Sequence, residues 1–113
     1  MSRSERRSRV ADYVLVYSGG GMPENEEEQA QVMKAWDGWF SELGSALKDG
    51  GNPFSGQAKS ISADGSVSDA SSPASGYSII EADSLDAAVD LAKSCPVTLG
   101  GASITVYETF KVM

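Results

Sequence analysis

At 113 residues the chain fits one domain with a modest core, and no run approaches the roughly 20 apolar residues of a membrane span. The net charge of −7 conceals an asymmetry. All four arginines (Arg3, Arg6, Arg7, Arg9) lie in the first nine residues, and from Val10 onward five lysines face fifteen acids, a net of −10. A body that acidic repels phosphate backbones, so neither nucleic acid nor a membrane is an expected partner.

Residues 1–11 read as a basic, disordered tail ahead of a single domain over 12–113, with a nucleic-acid or membrane arm as the alternative use of the arginines. The tail lacks the continuous apolar segment of a signal peptide. Tyr13 to Tyr17, YVLVY, is the first strand, and its uncharged run predicts a central strand buried on both faces. Ser18 to Pro23 is glycine-rich, but no Lys-Ser/Thr pair follows, so it reads as a connection rather than a phosphate cradle. Glu24 to Lys48 reads as one long helix. Val32, Trp36, Trp39, Phe40, Leu43 and Leu47 form an apolar stripe at three- and four-residue spacing. Gly38 and Gly44 each cost a helix about 1 kcal/mol relative to alanine, which predicts close packing there. Asp49-Gly50-Gly51 is the expected stop.

Lys59 to Ala63 and Ser66 to Asp69 flank Asp64-Gly65, a hairpin signal. Being serine-rich, these strands are expected at a sheet edge with one wet face. Residues 70–75 read as loop. Tyr77, Ile79 and Ile80 are strand formers. A helix follows, with Leu85, Ala88, Val89 and Ala92 on one face, Asp83 or Ser84 as its cap, and Pro96 as its stop. Ala102 to Phe110 alternates as a last strand, with Ile104, Val106 and Glu108 on one side and Thr105, Tyr107 and Thr109 on the other. Cys95 is the lone cysteine and has no internal disulfide partner. It reads as a small buried residue in a reducing, cytoplasmic setting.

Strand, helix, hairpin, strand, helix, strand is the order of a ferredoxin-like βαββαβ α+β fold. Such a fold carries both helices on one face of an antiparallel sheet. The other sheet face would be bare, and a second copy is its expected cover.

The chain contains no histidine. Acid–base chemistry at neutral pH would need a shifted carboxylate, lysine or cysteine. Asp37, the acid between Trp36 and Trp39, is the candidate if it turns inward; otherwise it is a solvated helix acid. With one cysteine and glutamates that diverge around a helix, no metal-ligand set is expected, and no cofactor.

Several stretches together resemble the YCII-related proteins, a family of the dimeric α/β-barrel superfamily. They are Tyr13-Val14-Leu15-Val16-Tyr17, Trp36-x-x-Trp39-Phe40, Gly51-Asn52-Pro53, the run Gly76-Tyr77-Ser78-Ile79-Ile80-Glu81-Ala82-Asp83-Ser84-Leu85-Asp86-Ala87-Ala88, and Cys95-Pro96. The resemblance spans about Tyr13 to Phe110. It implies a homodimer with a small cavity at the helix–sheet seam, where Tyr17, Trp36, Phe40, Asn52 and Tyr77 would meet a ligand; the alternative is that Trp36, Trp39 and Phe40 fill the core and Asn52 satisfies a turn. Enzymatic members of the family are thought to use a His–Asp pair, which this chain cannot form. The family's Asp-Gly-Pro-Phe motif is also absent from the corresponding region, Asp69 to Ser75. The expected function is therefore a homodimeric small-molecule-binding or accessory protein. The alternatives are a cofactor-independent lyase or isomerase acting on a small ring or acyl substrate, with Asp37 or a tyrosine moving the proton, and a structural partner without a ligand.

Overall fold

The computed structural model describes residues 10–20, 24–70 and 73–111. The arginines of the tail lie outside the described residues, as do residues 21–23 of the glycine-rich loop. Strand β1 runs Ala11–Ser18, helix α1 Glu26–Leu43, β2 Leu47–Asp49, β3 Lys59–Ile61, β4 Val67–Asp69, β5 Ala74–Ala82, α2 Leu85–Ala92 and β6 Ser103–Glu108. Two 3-10 turns, Gly44–Ala46 and Pro96–Gly100, follow the helices.

Four strands form one antiparallel sheet in the order β2-β5-β1-β6. Both helices pack on one face of it, so the expected ferredoxin-like α+β arrangement is the fold of the described residues. Alternation along the two central strands decides which side chains meet the helices. Tyr13, Leu15 and Tyr17 of β1, with Ser78, Ile80 and Ala82 of β5, are buried on the helix side. Trp39 and Leu43 of α1, Ala88 and Ala92 of α2, and Cys95 complete the core. No described helix is long and apolar enough to cross a membrane.

Local chemistry explains the helix starts. The Asn25 side chain accepts the Glu28 N–H at 2.8 Å, and Glu26, Glu27 and Glu28 place negative charge in the first turn of α1. Ser84, one of the two expected caps, accepts the Ala87 N–H at 3.1 Å. The buried face of α2 is built on Ala88 and Ala92, whereas Leu85 at the edge of the predicted stripe is 43% exposed.

Four expectations are corrected. First, α1 stops at Leu43, not at Lys48. Gly44 takes φ +54°, a conformation side-chain-bearing residues rarely adopt, and its N–H bonds to the Phe40 carbonyl. Leu47, spaced like a helix residue from Leu43, instead opens β2 and pairs with Ile80. Second, that short β2 is the sheet edge. The serine-rich hairpin β3–β4 forms a separate two-stranded sheet. Third, Gly38 is not a point of close packing: a Cβ there would have no atom within 4 Å. Fourth, β1 is buried on one face only, and Val14 and Val16 on the other are half-buried.

Those two valines belong to the sheet face turned away from the helices. The register sets Val14 between Ile79 and Tyr107, and Val16 between Tyr77 and Thr105. Phe54, 47% exposed, stacks on Tyr77 at 5.9 Å, and Tyr107 is 54% exposed.

Candidate functional site

The helix–sheet seam is occupied by four aromatic rings. Trp36 stands edge-on to Tyr17 at 5.8 Å and to Trp39 at 5.6 Å, and Phe40 lies 5.6 Å from Trp36 and 5.7 Å from Trp39. Spacing i, i+3, i+4 along α1 brings the three helix rings together. Strand alternation turns Tyr17 up to meet them. Its register partner is Gly76, where a Cβ would meet the Tyr17 ring at an ordinary contact distance of 3.5 Å but would crowd the Asn52 carbonyl oxygen at 3.1 Å. Trp39 is closed off at 3% exposure, and its indole Nε1–H donates to the Leu91 carbonyl of α2 at 3.1 Å. Trp36 and Phe40 are half-buried and form a rim. Gly50 completes that rim: a Cβ at this position would lie 3.1 Å from the Phe40 ring.

A file of uncharged polar groups lies beneath the rings. The Cys95 thiol approaches the Tyr17 hydroxyl at 3.6 Å. Tyr17 donates to Ser78 Oγ at 2.6 Å, and Ser78 donates to the Gly50 carbonyl at 2.7 Å. The file ties β1, β5, the segment after α2 and the loop after β2 into one unit. Burial pushes the Tyr17 hydroxyl well above the ordinary tyrosine value, with the bond to Ser78 opposing and Cys95 adding to the shift. Burial also raises the Cys95 thiol, partly offset by a backbone hydrogen bond at Val97 and by Tyr17. Both therefore stay protonated at neutral pH. The cluster offers apolar surface and neutral hydrogen-bond groups, not a thiolate or phenolate nucleophile.

Of the residues named from sequence, the structure unites Tyr17, Trp36 and Phe40. Asn52 lies two residues beyond Gly50 on the exposed loop, and its carbonyl accepts the Tyr77 N–H at 3.3 Å. Tyr77 cannot share the seam: odd and even positions of β5 point to opposite faces, and its ring stacks on Phe54 on the far side of the sheet. Asp37 is exposed on α1. Sequence reasoning missed Ser78. Its signal is a lone hydroxyl at an inward position of β5, between Gly76 and Ile80.

The buried acids carry a pH signature. Tyr13 joins Tyr17 and Cys95, raised first by burial and then by its hydrogen bond to Glu108 at 2.9 Å. Each of the three keeps its proton in the folded chain to a pH at which the unfolded chain has released it. The unfolded state then binds fewer protons, so stability falls as pH rises from each ordinary value through its raised one. We expect stability to decline above about pH 9, with Tyr17, the most strongly shifted of the three, contributing most. Tyr17→Phe removes one group and should flatten the decline. Urea titrations between pH 7 and 11 check this, and parallel curves for the two proteins would refute the assignment to Tyr17.

The chain matches no protein-family model and no curated protein. Among solved structures it is similar to 5-chloro-2-hydroxyhydroquinone dehydrochlorinase (TftG) from Burkholderia phenoliruptrix AC1100, in complex with 2,5-dihydroxybenzoquinone. The likeness has a TM-score of 0.51 at 19% identity and covers 88% of this chain and 93% of that one. Identity that low makes it a likeness of fold.

Proposed function

We propose that the chain is a YCII-related protein of the reducing cytoplasm that acts as a homodimer and binds a small, flat organic molecule. The binding place is the Trp36–Phe40 rim, bordered by Gly50 and Asn52. The observation that carries this reading is the half-buried Trp36, held edge-on to a buried Tyr17 whose hydroxyl is fixed to Ser78. An aromatic rim over neutral hydrogen-bond groups suits a planar ligand with oxygen substituents. The similar fold that holds a dihydroxybenzoquinone supports the same ligand class. The family's His–Asp chemistry has no counterpart here, because the chain lacks histidine.

The homodimer rests on the uncovered sheet face. Val14, Val16, Ile79, Tyr77, Tyr107 and Phe54 make an apolar patch across three strands and the loop before the hairpin. A self-complementary pairing about a twofold axis would remove it from water.

Both tryptophans of the chain lie in the aromatic cluster. Indole fluorescence therefore reports on it directly. Titration with 2,5-dihydroxybenzoquinone should quench saturably, and Trp36→Ala should weaken binding about tenfold or more. Linear quenching, equal to that of a free tryptophan derivative, would refute ligand binding at the rim. Sedimentation should show a dimer that Val16→Glu converts to folded monomer; a monomeric parent protein would refute the pairing.

A further inference from the structure

We propose that the arginines ahead of β1 fold back on their own chain. Arg6, Arg7 and Arg9 dock along a groove between the end of β5, α2 and the 3-10 turn after α1, and pair there with Glu81, Asp83 and Asp90. Neither the ligand nor the homodimer proposed above is needed for this docking.

The groove is open and measures about 410 Å³. Ala46, Ala87 and Leu91 line it; they pack on the core yet are only half-buried, so apolar surface is left facing the groove. Glu81, Asp83 and Asp90 line it as well. These carboxylates are engaged only in part. Glu81 pairs with Lys48 at 2.8 Å. Asp90 has Lys93 at 3.5 Å, but both side chains are about three-quarters exposed, and such a pair adds little in water. Asp83 has no ion pair among the described residues.

The path of the chain indicates the occupant. Val10 itself borders the groove. The register of β1 on β5 sets Asp12 opposite Glu81 and Ala11 opposite Ala82. The chain leading into β1 therefore passes the end of β5, where Asp83 opens the turn into α2. Arg9 is the next residue beyond Val10, and Arg6 is four residues from it, a reach of at most about 14 Å. Covalent continuity thus presents the arginines to the three carboxylates at an effective concentration on the order of millimolar.

Charge and shape agree with that occupant. Residues 1–9 carry a net +3, against −10 from Val10 onward, so the field of the body draws the segment back onto it. An arginine stem covers apolar surface while its guanidinium forks onto a carboxylate, which suits a groove of alanine and leucine edged by acids.

Nitrogen-15 relaxation of the full chain tests the docking. At about 0.01 M salt, where charges act over about 30 Å, the Arg6 and Arg7 amides should show order parameters above about 0.6. The double variant Asp83→Asn, Asp90→Asn should drop both below that value, as should about 0.5 M salt. Both acids are exposed and Ser84 keeps the cap of α2, so the fold should be kept, as circular dichroism would check. In a second measurement, the triple variant Arg6→Gln, Arg7→Gln, Arg9→Gln should shift the Ala46, Ala87 and Leu91 resonances and leave those of the β3–β4 hairpin in place. Order parameters below about 0.6 in the parent protein at low salt would overturn the docking and leave the arginines to an outside polyanion. Order that survives the double variant, or groove resonances unmoved by the triple variant, would overturn it too.

Discussion

Gly51→Ala should destabilise the fold by about 3 kcal/mol or more, the sum of a left-handed backbone penalty and an overpacking cost. Gly51 takes φ +77°, and an added Cβ would fall 1.6 Å from the Tyr77 carbonyl oxygen and 2.5 Å from its carbon. The obstacle is backbone of the central strand β5, so no rotamer change relieves it. Two contacts hold the turn where the clash occurs. The Gly51 N–H donates to Asp49 Oδ1 at 2.8 Å, and the Asn52 carbonyl accepts the Tyr77 N–H. Relief would require the loop to leave the sheet, taking with it the Gly50 carbonyl that accepts Ser78. Urea denaturation measures the loss, and a change below about 1 kcal/mol would show that the loop moves freely.

Trp39→Ala should cost about 3–5 kcal/mol, in the range for emptying a large buried aromatic site. Trp39 is closed off on all sides, and its indole N–H bridges α1 to the Leu91 carbonyl of α2. Its loss opens a cavity between the helices and leaves that carbonyl without the indole. Trp36→Ala, at the half-buried rim, should cost clearly less stability while carrying the larger penalty in quinone binding. The same denaturation and fluorescence experiments separate the two roles. Equal stability losses would mean that Trp36 is core as well and that the rim is not a site.

The contrast between the two tryptophans shows what periodicity can and cannot decide. Spacing along the chain places Trp36, Trp39 and Phe40 on one helix face. Which of them reaches the core and which stays at the rim depends on where α2 and the loop after β2 close over that face. Tyr17 and Tyr77 carry the same lesson. Both sit in strands legible from the sequence, each within an aromatic-rich stretch. Their separation by the sheet follows from the register, which pairs Tyr17 with Gly76 and Val16 with Tyr77. A strand's two faces cannot be assigned to core or solvent until its neighbours are in place.

The departures of the structure from the sequence pattern are local and share a cause. Leu47 continues the helical spacing from Leu43, so the stripe alone carries α1 too far. Gly44 was legible as a weak point but not as the end, because its φ is set by the turn into β2. The Asp64-Gly65 hairpin was legible as a hairpin. Its detachment from the sheet was not, because the short β2, read from the sequence as helix, takes a sheet edge in place of the hairpin strands.

The sequence by itself determined the strands β1, β5 and β6, the existence of both helices and the β3–β4 hairpin, and it narrowed the cap of α2 to Asp83 or Ser84. These rest on alternation, helical spacing and short-range capping, which act between near neighbours in the chain. Only the tertiary structure decided the strand order β2-β5-β1-β6, the hydrogen-bonded file from Cys95 through Tyr17 and Ser78 to Gly50, and the face on which each aromatic residue stands. Those features join groups 28 to 78 residues apart, and such contacts follow from how elements pack rather than from any local pattern.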